Sequence, residues 1–199
     1  MSSTILTNSG RQIDPFNMRA ADVNIFDVAH SLSRICRYSG HVNQFYSVAQ
    51  HSCILAMNIS SVMQFQGAKI IGDHIHAELA FTALLHDAPE TYIGDMAAPL
   101  KSRLPDYREL EEGVSEAVHE KFGLSEYYLD LVKPLDQAIC VNEMDALYHG
   151  GAPAEVRANL GMGIPGIGII PVSPDESEVM FLSIYRQLAA RLGRRVDDA

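Results

Sequence analysis

Between Asp22 and Gly40 the apolar residues Ile25, Val28, Leu32 and Ile35 recur at steps of three and four, which predicts a helix that ends before Ser39-Gly40. That helix carries Arg37 and Tyr38 to its C-terminal edge. Ser47 followed by Gln50 has the form of a capping box and places His51 in the first turns of a second helix. A break at Gln66-Gly67 separates it from a third helix defined by Ala77, Ala80, Phe81, Leu84 and Leu85. Pro89 suits the first turn of a short helix bearing Glu90, Gly94-Asp95 ends it, and Pro99 to Pro105 reads as a connector with Lys101 and Arg103. Leu110, Val114, Ala117, Val118 and Phe122 mark an amphipathic helix stopped by Gly123, and the next is expected to begin near Pro134 and run through Tyr148. The last starts at Ser173-Pro174-Asp175-Glu176, with Val179, Leu182, Leu188 and Leu192 as its expected buried stripe. Seven or so helices and almost no alternating segments predict an all-α fold. Residues 1–20 read as an irregular arm, with a short hairpin around Asn8-Ser9-Gly10, and 21–199 as one domain.

The chain has 199 residues, long enough for a substantial core, and its apolar fraction of 47% with 20% charged residues fits a folded, soluble protein. No stretch approaches the ~20 apolar residues of a membrane span, and no basic segment followed by an apolar run opens the chain, so a cytoplasmic location is expected. Cys36, Cys53 and Cys140 are odd in number and unclustered, each on an expected helix, which favours reduced thiols. A net charge of −10 argues against a nucleic-acid polymer as partner, because such binding rests on Lys and Arg clusters. Any phosphate must be met locally, by a cation and a few basic side chains.

The adjacent pair His86-Asp87 stands at the end of an apolar helix, where burying a carboxylate beside an imidazole is costly unless something pairs with both. A divalent metal would serve. Adjacent helix residues point about 100° apart, so other helices must complete the ligand set. His51 upstream and Asp145 downstream are the candidates, with Asp136 the rival for the last place. Such N and O donors suit Mn, Co, Ni, Fe or Zn, and without thiolates they do not suit a structural zinc. Glu90, three residues beyond Asp87, is placed to act as general base, and Lys101 as a phosphate contact. The segment Gly161–Ile170 formally matches G-x-G-x-x-G, but no strand precedes it and Pro165 interrupts it, so it is read as a flexible apolar loop for a subunit contact or pocket lid. His74 and His76 are weaker candidates for a second metal, His30 and His41 for pocket lining, and His119 and His149 read as surface or helix-end residues.

The order His51, His86-Asp87, Asp145 resembles the signature of the HD-domain metal-dependent phosphohydrolases. Cys36-Arg37-Tyr38, Tyr46-Ser47-Val48-Ala49-Gln50-His51-Ser52, His86-Asp87-Ala88-Pro89-Glu90 and Gly94-Asp95-Met96-Ala97-Ala98-Pro99-Leu100-Lys101 resemble, in order and spacing, the bacterial 5′-deoxynucleotidases and the phage dATP triphosphohydrolases. The likeness spans roughly residues 20–150. It implies the HD fold, a metal held by His51, His86, Asp87 and Asp145, and the same general-base role for Glu90. It also implies sugar contact or proton transfer by Asp95, and phosphate binding by Arg37 with Tyr38 at the neighbouring aromatic position, where the nucleotidases usually have Trp. Asp145 matches the family's Asp-Ala-Leu better than Asp136 does. The expected activity is release of triphosphate from a dNTP, because Arg37, Lys101 and Arg103 together could neutralise a long anion. Hydrolysis of a dNMP to nucleoside and phosphate is the alternative, and a non-catalytic nucleotide binder a further one. A homodimer or larger homo-oligomer fits the amphipathic helices, and a phage-encoded version would act in the host cytoplasm.

Overall fold

Ile5–Leu6 (β1) and Gln12–Ile13 (β2) pair antiparallel across the Asn8-Ser9-Gly10 turn, with Ile5 opposite Ile13 and Leu6 opposite Gln12. The expected hairpin is therefore formed in the computed structural model, which describes residues 4–65, 67 and 72–195. Ser9 ties the arm down: its backbone N–H and its hydroxyl donate to the buried Asp27 carboxylate at 2.7 and 2.6 Å. Of the expected break at Gln66-Gly67, Gln66 lies outside the described residues.

The fold is all-α. The helices are α1 (Ile25–Arg34), α2 (Val48–Met57), α3 (Ile59–Phe65), α4 (Asp73–Leu85), α5 (Glu90–Ile93), α6 (Ala98–Lys101), α7 (Pro105–Phe122), α8 (Glu126–Leu147), α9 (Ala154–Leu160) and α10 (Pro174–Arg191). Helix α2 is buried on every side from Val48 to Ala56, as a helix without a polar face must be. It lies at the centre, packed against α1, α4, α8 and α10. The end of α4 is equally apolar, with Leu79 to Leu85 all buried. These two helices carry His51 and the His86-Asp87 pair, so the core itself positions the candidate site. Among the described residues no helix is long and apolar enough to cross a membrane.

Local signals explain most boundaries. Asn24 caps α1 by accepting from Phe26 and Asp27, Ser173 and Glu176 complete a reciprocal capping box on α10, and Gly123 ends α7 in the left-handed conformation at φ 63°. Ser47 caps α2 by accepting from the Gln50 N–H, but the Gln50 side chain does not reach back. Instead it donates to the Ile170 carbonyl and accepts from the Val172 N–H, tying α2 to the segment before α10.

Several expectations are corrected. Helix α8 begins at Glu126, eight residues before Pro134, which sits inside the helix on its exposed side, where the carbonyl it fails to bond can meet water. The connector from Pro99 contains α6, since proline is tolerated in a first turn. Arg37 and Tyr38 lie beyond α1 in a separate 3-10 turn, and Cys36 is extended there, bridging Ser47. All three cysteines are free thiols. The buried side of α10 is Ser177, Phe181, Tyr185, Leu188 and Ala189, whereas Val179 is 69% exposed. Aromatic packing decides this rotation: Tyr185 meets Phe81 and Phe122 at centroid distances of 5.7 and 6.0 Å.

The 161–170 loop is anchored rather than flexible. Asn142 on α8 donates to the Ile164 and Ile167 carbonyls at 2.9 Å each and accepts from the Ile164 N–H at 2.7 Å, while Ile164, Ile167 and Ile169 are buried. An Asn142→Ala variant leaves the Ile164 N–H and the Ile167 carbonyl without partners, the Ile164 carbonyl keeping the Ile167 N–H at 3.4 Å, and we expect it to lose about 2 kcal/mol of stability in urea unfolding. A loss below about 0.5 kcal/mol would show that the loop does not depend on this clamp.

Candidate functional site

His51 sits in the first turns of α2 and His86 closes α4, with their ring centroids 5.4 Å apart. His86 Nδ1 lies 2.8 Å from the Ala83 carbonyl, which can only accept, so that nitrogen carries the proton and Nε2 presents its lone pair. His51 Nδ1 lies 2.6 Å from the Glu143 carboxylate, which fixes the same orientation. Both Nε2 atoms point towards Oδ1 of Asp136 on α8, at 3.0 Å from His51 and 4.0 Å from His86. His51 Nε2, His86 Nε2 and Asp136 Oδ1 are all buried without a hydrogen-bond partner. Three unpartnered buried ligand atoms within 4.8 Å of one another have the chemistry of a cation site. Asp87 flanks them, with Oδ1 3.2 Å from His86 Nε2 and Oδ2 3.8 Å from His51 Nε2.

Asp145 is not among them. Two and a half turns along α8 from Asp136, it lies on another side of the helix, where it accepts from the Ala152 N–H at 2.9 Å and from Arg157 of α9. Its role is to hold the α8–α9 corner: a Cβ on Gly151, at φ 71°, would come within 2.6 Å of its carboxylate. The α8 carboxylate that stands beside His51, His86 and Asp87 is Asp136, the rival candidate. The sequence favours Asp145 because the Asp-Ala-Leu pattern occurs there.

Glu143 went unnoticed in the sequence and organises the site from beneath. It is fully buried and receives Tyr38 and Tyr46 hydroxyls at 2.6 and 2.9 Å, His51 Nδ1 at 2.6 Å, and the Arg37 guanidinium at 3.5 Å. The available signal was a carboxylate in register with Leu135, Ile139 and Leu147, an otherwise apolar stripe of α8. Burial opposes its charge, but Arg37 and His51 outweigh that and bring its pKa down to about 2. For His51, burial and Arg37 favour the neutral ring, yet Glu143 and Asp136 outweigh them and lift it to about 10.

Arg37 points inward, with Nη1 3.3 Å from Asp87, Nη2 3.8 Å from Asp136, and Nε facing Glu143. One guanidinium thus faces three carboxylates. The Tyr38 hydroxyl goes to Glu143, and its ring packs edge-on to Tyr148. Tyr38 and Ser39 adopt left-handed backbone angles, φ 57° and 52°, at about 1–2 kcal/mol each, in the turn that aims Arg37 inward. Glu90 opens α5 with Oε2 buried and unpartnered; burial first, then Asp87 and Asp95, raise its pKa well above the usual carboxylate range. Asp95 is raised too, chiefly by burial. Lys101 is engaged by Glu111 of α7, and Arg103 is exposed. His74 is largely exposed near Glu78, and His30 pairs with Glu178, so neither joins the cluster.

Comparison with known proteins follows the same lines. Residues 24–144 match the family of YfbR-like 5′-deoxynucleotidases, a stretch that includes Asp136 and stops before Asp145. The chain is 32% identical over 200 residues to the uncharacterized protein YfdR of Escherichia coli K12, covering 94% of this chain and 96% of that protein. It is 34% identical over 119 residues to an uncharacterized protein of Rhodobacter capsulatus, covering 58% and 56% of the two chains.

The geometry separates the two aspartates experimentally. Asp136→Ala is expected to abolish binding of Mn2+ or Co2+ in calorimetric titration. Asp145→Ala should keep that binding and lose about 1 kcal/mol of stability with the α8–α9 corner. Glu143→Gln should weaken cation affinity roughly ten- to hundredfold by releasing His51. Retained affinity in Asp136→Ala together with loss in Asp145→Ala would reverse the assignment.

Proposed function

Because the chain belongs to the YfbR-like 5′-deoxynucleotidase family of HD-type phosphohydrolases, we propose that it cleaves 2′-deoxynucleoside 5′-monophosphates to deoxynucleoside and orthophosphate. The observation that carries this reading is the convergence of His51 Nε2, His86 Nε2 and Asp136 Oδ1, unpartnered and buried, beside Asp87. These four residues would hold one divalent transition metal, of the set Mn, Co, Fe, Ni or Zn. Such a cation supplies Lewis acidity, acidifying water and offsetting negative charge on the phosphoryl group.

The chain's own residues supply the rest. Glu90, whose pKa is raised by burial and by Asp87 and Asp95, takes a proton from the attacking water as its oxygen bonds to phosphorus. The bond from phosphorus to the 5′-oxygen breaks, and that oxygen leaves as the nucleoside hydroxyl with a proton from Asp95, whose pKa is raised chiefly by burial. Arg37 keeps Asp87 and Asp136 oriented and adds positive charge beside the phosphate. Tyr38 acts through Glu143 as a positioning residue.

The triphosphate reading relied on Arg37, Lys101 and Arg103 acting together on a long anion. Arg37 is faced by three carboxylates, Lys101 is engaged by Glu111, and Arg103 is exposed, so the three do not form one basic surface for a long anion. A single phosphate needs no more than the cluster and Arg37.

Metal-replete protein incubated with dNMPs, NMPs and dNTPs should yield nucleoside and orthophosphate from dNMPs. Triphosphate released from a dNTP would restore the other reading, and no product from any of them would overturn the hydrolase assignment. Glu90→Gln should retain the cation while kcat falls at least ~100-fold. Full activity in that variant would remove Glu90 from its role.

A further inference from the structure

A cleft of about 470 Å3 opens between α7 and the first half of α8, within the ~300–1,000 Å3 range of small-ligand sites. One end is formed by His86 and Asp136, the cluster itself. The other end has different chemistry. Ser115 and His119, one turn apart on α7, project into it, and Leu129 and Val132 of α8 supply an apolar wall. Among the described residues no hydrogen bond or ion pair engages the side chain of Ser115 or His119, though both are only partly exposed. Burial holds the His119 ring below its usual pKa, against the pull of Glu126 and Glu116, so near neutrality it offers one donor and one acceptor and no charge. At the rim stand Glu126 and Asp130, the latter paired with Lys133 at 2.9 Å.

We propose that this cleft seats the uncharged deoxynucleoside half of the substrate, with Ser115 and His119 hydrogen-bonding the edge of its base and Leu129 and Val132 packing against the base. The inference rests on the reading of the cluster as a phosphomonoesterase site. The cleft has a direction. Its cluster end, with the cation it would hold, would attract a phosphate, whereas Glu126 at the rim repels one and Asp130 is offset by Lys133, so a nucleotide would enter phosphate-first with its neutral part between α7 and α8. Neutral donors and acceptors left without protein partners are what recognition of a base edge requires, because a ligand lacking the base leaves them unsatisfied.

The test compares dAMP with 2-deoxyribose 5-phosphate, which presents the same phosphoester without a base. Ser115→Ala and His119→Ala are each expected to raise KM for dAMP about fivefold or more with kcat within about twofold, and to change KM for the sugar phosphate much less. His119→Gln, which keeps a donor and an acceptor, should recover part of the loss. Unchanged KM for dAMP, or equal losses on both substrates, would overturn the inference. A second measurement does not depend on turnover: titration with deoxyadenosine should shift the His119 ring resonance, assigned by its absence in His119→Gln. A shift without any dNMP hydrolysis would sink the phosphomonoesterase reading and leave the nucleoside seat standing. Hydrolysis without a shift under saturating deoxyadenosine or dAMP would do the reverse.

Discussion

Glu143 is a carboxylate cut off from solvent at the floor of the site, and the arrangement above it depends on that burial. A lone charge there would be too costly to keep, so it is surrounded by partners: the Arg37 guanidinium and the Tyr38 hydroxyl from one turn, and the Tyr46 hydroxyl and the His51 imidazole from the start of α2 and the residues before it. Each partner is thereby oriented. His51 is turned so that Nε2 faces Asp136, Arg37 is drawn beneath Asp87 and Asp136, and the turn at Tyr38 is held in its left-handed geometry. Charge makes the same point, since Asp87, Asp136 and Glu143 exceed what Arg37 can balance. A cation above them is the natural complement.

The fold was legible wherever burial follows helical periodicity. The caps at Ser47, Gly123 and Ser173 and the apolar end of α4 could be read directly from the residues. Helices α3, α6 and α9 could not, because each is four to seven residues long and has too few turns to establish a period. Pro134 misled because a proline on an exposed face interrupts a helix far less than its reputation suggests. Val179 and Leu182 misled because a stripe of aliphatic residues was weighed above Phe181 and Tyr185, whose larger area decides which side of α10 is buried.

The site was legible in its N-terminal two-thirds. His51, His86, Asp87 and Glu90 lie on short segments whose neighbours fix their placement, so linear spacing carries spatial meaning. On α8 that fails: Asp136 and Asp145 are both helical, both acidic and nine residues apart, and only packing distinguishes the face towards α4 from the face towards α9. Glu143 left one trace, an acid in an apolar register, and such a position is worth flagging whenever the helix it belongs to is expected to be buried.

Asn142 precedes Glu143 in the chain, and its amide spans the turn from Ile164 to Ile167. The length of that turn is consequently matched to one peptide-sized bracket on α8. Homologous chains should vary freely in composition at the exposed Met162 and Ile170, yet tolerate insertions between 164 and 167 poorly, for a longer arc could not close on the bracket without pulling at the helical turn that carries the buried carboxylate.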